Sequence, residues 1–448
     1  MMLLDSISRA AVPLIAMASL ACRDAGRGPG ATDTAGAAPV ATTEAASPDT
    51  VTFADGFRAT VFADSLGPAR HIAARASGDL YVNTWRSPYD STRPVPPGGF
   101  IVALRDTNRD GRADRVERFG GTRGNGGTGI AFFRDQLYVE AGPAIVRYRL
   151  RPSDLGTAGA PDTIVNGLPT IGGHTMHPFT IDLEGNLFVN SGSATNACQV
   201  KDRTPGAIGE RPCTELETRA GIWRFSATRK GQRFDAESRQ ATGIRNAVGL
   251  AINPADGALY ATQHGRDQLA ENWPKLFDWK KSAELPAEEL LLVVRGGDYG
   301  WPYCYYDPEQ EKRVLAPEYG GDGREVGECA EKLGPAAAYP AHWAPNALVF
   351  YTGTLFPERY RGGAFLAFHG SWNRAPEPQA GYNVVFQPFA GGKPSGKYEI
   401  FGDGFAGPRK QPGTARHRPS GLTVGPDGAL YISDDTGGRI WRVVHAGG

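Results

Sequence analysis

The chain has 448 residues, and its 48 Lys and Arg are matched by 48 Asp and Glu, so the formal net charge near neutral pH is zero. That balance excludes the basic footprint of a nucleic-acid binder and leaves no charge excess to hold an anionic membrane surface. With 59 Gly and 34 Pro the chain turns often, and no long stretch keeps helical spacing of its apolar residues, so a β protein with a small, locally held ligand is expected.

Residues 1–22 read as an export signal: a short segment with one Arg, an apolar run from Ala10 to Leu20, then Ser19-Leu20-Ala21-Cys22. The pattern resembles a bacterial lipoprotein signal with Cys22 as the lipidated residue, and an ordinary cleaved signal peptide is the alternative. Residues 23–49 are mostly Gly, Ala, Thr, Pro and Asp with almost nothing to bury, a tether ahead of a folded domain over 50–448. Either signal predicts an exported protein, periplasmic or at the cell surface, and the lipoprotein reading confines its membrane contact to an N-terminal lipid anchor at Cys22.

From residue 76 onward one unit recurs: ASGDLYVN at 76–83, FRDQLYVE at 133–140, LEGNLFVN at 183–190, PADGALYAT at 254–262, GGAFLAFHG at 362–370 and PDGALYIS at 426–433. Each is a Gly- or Asp-based turn leading into a strand with a Leu and an aromatic residue side by side. A unit too small to bury its own apolar face must stack on its neighbours. Six copies predict an all-β, six-bladed β-propeller of four-stranded antiparallel blades, with a generic sandwich or barrel as the alternative. Between Leu259 and Phe365 the spacing lengthens, which places an insertion on one face, where function collects.

Within the first unit, DTNRDGRADRVE at 106–117 sets Asp106, Asn108, Asp110, Gly111, Arg112, Asp114 and Glu117 at positions 1, 3, 5, 6, 7, 9 and 12 of a calcium-loop pattern. Its flanks read as strands, so the expectation is a structural calcium turn inside a hairpin, with an ion-free acidic turn as the alternative. Beyond Cys22 the cysteines are Cys198, Cys213, Cys304 and Cys329, an even set suited to an oxidising compartment. Cys198–Cys213 with Cys304–Cys329 is the local pairing of the three possible. Neither CxxC nor CxxCH occurs, which disfavours zinc ribbons and covalent c-type haem.

Repeat register locates the candidate chemistry, because equivalent residues of successive blades reach equivalent places around a propeller's channel. His174 lies 13 residues before Leu187, Asn246 lies 13 before Leu259, and Arg418 lies 12 before Leu430. Arg245 and Arg416 adjoin the last two, and Arg70-His71 holds a similar place ahead of Leu80. A His, an Asn and several Arg at one channel mouth form a catalytic composition.

At these residues the chain resembles the soluble glucose/sorbosone dehydrogenases, quinoproteins that carry pyrroloquinoline quinone on a six-bladed propeller. The resemblance runs over most of 51–446 and includes Gly-Trp-Pro at 300–302. It implies His174 as general base, with His177 the second candidate, and Arg245 and Asn246 over the quinone carbonyls. It further implies calcium at the backbone carbonyls of Gly265 and Arg266 and in the segment 286–302, with Glu289 and Tyr299 as further metal ligands. Arg416 and Arg418 would hold cofactor carboxylates, and Arg374, in Ser371-Trp372-Asn373-Arg374, would stand in for the family's clamping lysine. The residue before His174 is Gly173 where the glucose enzymes carry Asp, and FHGSWNRAPEPQAGYNVVFQPF looks closer to the sorbosone branch. The implied activity is oxidation of an aldose or related, sorbosone-like sugar, with electrons passed to a separate acceptor. A non-catalytic scaffold and a calcium-dependent propeller hydrolase are the rival readings.

Overall fold

The computed structural model describes residues 51–85, 97–121 and 126–447, and the signal, Cys22 and the tether lie outside them. Six antiparallel sheets follow one another along the chain, and each recurring unit supplies the second strand of its sheet: Leu80–Thr84, Gln136–Ala141, Asn186–Ser191, Leu259–Gln263, Ala364–Phe368 and Leu430–Asp434. The innermost strands are Ala69–Ala74, Ile130–Phe133, Phe179–Ile181, Leu250–Ile252, Pro345–Phe350 and Pro419–Val424, and all six line one central channel. We number the blades 1 to 6 in that order.

The Leu-aromatic pair has a structural cause. Side chains alternate faces along a strand, so a Leu and its aromatic neighbour point to opposite sides of the blade. Leu80 packs into the core shared with blade 6 and Tyr81 into the core shared with blade 2. Leu187 and Phe188 divide the same way between blades 2 and 4, and Leu430 and Tyr431 between blades 5 and 1. Blade 5 reverses the written order, yet Leu366 still faces blade 4 and Phe365 blade 6. Leucine therefore always meets the preceding blade and the aromatic the following one.

The ring closes because Phe57–Ala63, at the start of the fold, pairs antiparallel with Ile440–His445 and completes blade 6. Three sheets keep four strands and three gain a fifth. Two of the added strands run parallel to their neighbours, Gln232–Arg233 beside Asp162–Asn166 and Gly297–Asp298 beside Arg239–Thr242. Both come from loops of the next blade, so they lock neighbours together. The insertion in blade 4 carries two short helices, Leu269–Asn272 and Trp279–Glu284, and a hairpin of Cys304–Asp307 with Lys312–Leu315. The disulfides are the local ones, Cys198–Cys213 and Cys304–Cys329.

The segment 106–117 forms a hairpin turn, since Ile101–Arg105 pairs with Arg115–Phe119. Its carboxylates turn onto the turn's own backbone: Asp106 accepts from Asp110 N and Gly111 N, and Asp110 accepts from Arg112 N at 2.8 Å. Asn108 accepts from Asp110 N, and Asp114 accepts from Thr107 N. Gly111, at φ +85°, makes the bend. Glu117 is not brought to this group, because it sits on the returning strand opposite Ala103 with Arg151 4.0 Å away.

Candidate active site at the channel mouth

The loops entering each inner strand and those leaving each second strand lie on one face of the propeller, and there the register residues of blades 3 and 4 meet. Gly192 marks the contact: a Cβ at that position would fall 2.6 Å from His174 Cβ and 2.7 Å from Asn246 Oδ1. Asn190 clamps the pair from below, donating to Asn246 Oδ1 at 3.2 Å and accepting from Ala247 N at 3.0 Å.

His174 has a defined tautomer. Its Nδ1 lies 2.8 Å from the Ser193 carbonyl, which can only accept, so the proton sits on Nδ1. Nε2 keeps its lone pair and makes no hydrogen bond to the described residues. Burial first, and the Arg245 charge second, lower the pKa to about 3, so the ring is neutral near neutral pH.

Arg245 is almost fully buried and spends four of its five donors on protein acceptors: Asn196 O at 3.1 Å, Asn196 Oδ1 at 3.0 Å, Gly265 O at 2.8 Å and Asp267 Oδ2 at 2.9 Å. Asp267 is the hub. It also accepts from Arg203 at 3.0 Å and from Asn373 Nδ2 at 2.7 Å. Burial would raise the Asp267 carboxyl, but Arg245 and then Arg203 outweigh it and hold the group well below the usual carboxylate range. Asn196 is likewise saturated, and Trp301 of the Gly-Trp-Pro turn donates to its carbonyl at 2.9 Å. Asp267, Asn196 and His264 were not singled out from the sequence, although Asp267 directly follows Gly265 and Arg266; pairing across a loop leaves no periodic signal.

The other expected residues divide. Gly265 borders the site, with its N donating to the buried Glu288 carboxylate at 2.9 Å; burial pushes that carboxyl up to about 8. The Arg266 side chain turns to Glu318. Glu289 lines the same cavity as Arg245, Gly265 and Arg266, where Arg313 holds it in a buried ion pair at 2.6 Å and Gln263 donates to it at 2.7 Å. The Tyr299 hydroxyl donates to Leu292 O inside the core between blades 3 and 4. Arg374 is committed to the 279–284 helix, through Ala283 O at 2.6 Å and Glu284 at 2.7 Å. Its neighbour Asn373 reaches the site instead. Arg418 reaches across to blade 5 at the carbonyls of His369 and Gly370, while Arg416 is exposed and lies over Gly407. His177 is sealed in the wall, its backbone N bonded to Glu140 at 2.7 Å.

The TrAA12-like family model matches residues 51–446. The chain belongs to the TrAA12-like family. This TrAA12-like propeller superposes on the calcium structure of a Trichoderma reesei protein of Carbohydrate-Active Enzymes Family AA12 with a TM-score of 0.71, at 20% identity over 89% of this chain and 97% of that one. The holo PQQ domain of pyranose dehydrogenase from Coprinopsis cinerea gives 0.69 at 21% identity, over 88% and 97% of the two chains. At such identities the likeness is one of fold. Among curated proteins, a pyrroloquinoline quinone-dependent sugar dehydrogenase of Hypocrea jecorina is 26% identical over 204 residues, 42% of this chain and 44% of that protein. A pyrroloquinoline quinone-dependent pyranose dehydrogenase of Coprinopsis cinerea is 26% identical over 245 residues, 46% of this chain and 31% of that one. The matches thus span less than half the length of these relatives, and their names bear out the resemblance drawn from the sequence.

Proposed function

We propose that this TrAA12-like chain oxidises an aldose or related sugar, sorbosone-like in class, at its anomeric carbon, with pyrroloquinoline quinone and calcium as cofactors. The observation that carries the reading is the His174 tautomer: a neutral imidazole, Nδ1–H anchored and Nε2 open, beside a buried Arg-Asn pair. Bound at the mouth, the quinone would supply the hydride acceptor.

The residues present suit that group. Asn373 must present Nδ2 to the Asp267 carboxylate, which leaves its Oδ1 buried with no partner, an acceptor open to a donor of a bound group. Arg245 and Asn246 would meet the quinone carbonyls, and Arg418, with Arg416 beside it, its carboxylates. Gly265 O carries one hydrogen bond and has a second lone pair for calcium, with the Arg266 carbonyl next to it and the Asp267 and Glu288 carboxyl groups behind.

His174 Nε2 takes the proton of the anomeric hydroxyl, a role worth typically 10²- to 10⁴-fold. The resulting imidazolium is disfavoured by Arg245, so the proton passes on to solvent. Arg245, fixed by four acceptors, holds its charge where negative charge develops, with no reorganisation needed. Electrons leave to a separate acceptor. Export belongs to the same proposal and is supported by the two disulfides; lipid anchoring at Cys22 goes with it.

Dye reduction by the protein loaded with quinone and calcium, across a panel of aldoses, tests the activity. Binding tests it separately. A saturating cofactor should raise the melting temperature by roughly 3 °C at a hundredfold excess over its dissociation constant, and Arg418→Ala should shrink the rise. No shift in a folded sample at tens of micromolar cofactor would favour a scaffold.

We also assign calcium to the 106–117 hairpin through Asp106, Asn108, Asp110, Asp114 and the Arg112 carbonyl. Asp110→Ala should then lower the melting temperature in calcium and leave cofactor affinity unchanged. Identical melting with and without chelator, before cofactor is added, would show that the turn is merely acidic.

A further inference from the structure

Across the mouth from His174 stands a second histidine built for an acceptor role. His369 follows the second strand of blade 5, and its Nε2 lies 2.8 Å from Asp435 Oδ1 at the corresponding place in blade 6. The other Asp435 oxygen takes Arg70 Nη1 of blade 1 at 2.5 Å, so the carboxylate is neutralised without drawing a proton from His369. Arg70 also touches Met176 Sδ at 3.1 Å, two residues from His174, which ties this cluster to the loop that carries the base.

The chemistry follows from the donor directions. A carboxylate accepts, so the His369 proton sits on Nε2 and the lone pair on Nδ1, which makes no hydrogen bond to the described residues. Burial first, then the Arg418 charge, lowers the pKa to about 4. The His369 and Asp435 side chains keep 13% and 15% of their exposure, whereas His177 keeps none. A clasp between blades needs only Arg70 and Asp435; the oriented ring with an open nitrogen is additional.

We propose that His369, oriented by Asp435, reads the sugar by accepting a hydrogen bond at Nδ1 from a hydroxyl other than the one His174 deprotonates. The inference rests on the sugar-oxidising reading and concerns specificity rather than the chemical step.

Two substitutions separate the ring nitrogens. In His369→Gln the amide can still donate to Asp435 from the Nε2 position, but the Nδ1 acceptor is gone. In His369→Asn an acceptor remains near the Nδ1 position. With cofactor-loaded protein, H369Q should raise KM and the calorimetric Kd for the preferred aldose about 3- to 10-fold, with kcat within about twofold and the melting temperature unchanged. H369N should recover much of the affinity. Among monodeoxy analogues of that sugar, one should bind wild type and H369Q equally weakly, because the hydroxyl that His369 reads is already missing. Equal losses for every deoxy analogue, or no loss at all, would overturn the assignment, as would wild-type protein that binds no aldose. Sugar binding without turnover would defeat the proposed activity alone and leave the binding comparison to decide His369.

Discussion

His174→Gln should lower turnover by about two to four orders of magnitude while leaving the cofactor-induced rise in melting temperature nearly intact. Glutamine roughly matches the imidazole in size but supplies no base, so the loss should fall on kcat rather than on binding. The pH profile gives an independent check. An ordinary histidine would protonate near pH 6.5, whereas burial and then Arg245 hold His174 down to about 3. The neutral form therefore persists well into the acid range, and the rate should show no acid limb near 6.5. A limb there, absent from the Gln variant, would mean that the ring is more solvated during turnover than its surroundings indicate. A severe loss in His177→Gln with His174→Gln harmless would transfer the role, but His177 is fully buried and both of its ring nitrogens lack hydrogen bonds.

The architecture was legible because a propeller writes itself as a period. Leu80 with Tyr81, Leu187 with Phe188 and Leu430 with Tyr431 recur because each blade must bury one face against each neighbour, and that demand is local in sequence. The fifth strands were not legible, since Gln232–Arg233 and Gly297–Asp298 have two residues each and join blades through tertiary geometry alone. In the site, His174, Arg245 and Asn246 stood out because register places equivalent residues on one rim. The loop partners Asn196, Asp267 and Asn373 follow no register; they come from excursions of unequal length, and only folding shows that Asn196 and Asp267 share Arg245. At 371–374 the resemblance pointed to Arg374, whose side chain bonds the neighbouring helix, while Asn373 beside it reaches Asp267. At 288–289 alternation turns Glu288 toward Gly265 N and Glu289 toward Arg313, and only Glu289 stood out from the sequence.

Asp267→Ala should be the most destabilising change at the mouth. It leaves Arg245 buried with no carboxylate, strips Arg203 of a partner and frees Asn373; breaking a buried pair in this way costs about 3–5 kcal/mol, to be read from urea unfolding. Asp267→Asn isolates the charge. Its Oδ1 can still accept from Arg245, and its Nδ2 can donate to Asn373 once that amide turns over to present its unpartnered Oδ1, so the Asn variant should keep the hydrogen bonds, lose the ion pair and cost less stability than Asp267→Ala. The pH dependence has a definite sign. The folded carboxyl lies below its unfolded value of about 3.9, so its contribution is complete above that pH and is lost as pH falls toward the folded value. The stability gap between wild type and Asp267→Asn should therefore be constant from pH 5 to 8 and narrow below about 4. A gap that instead widened on acidification, or an Ala variant within about 1 kcal/mol of wild type, would mean that Arg245 is held by Asn196 and Gly265 alone and that Asp267 is not the hub of the site.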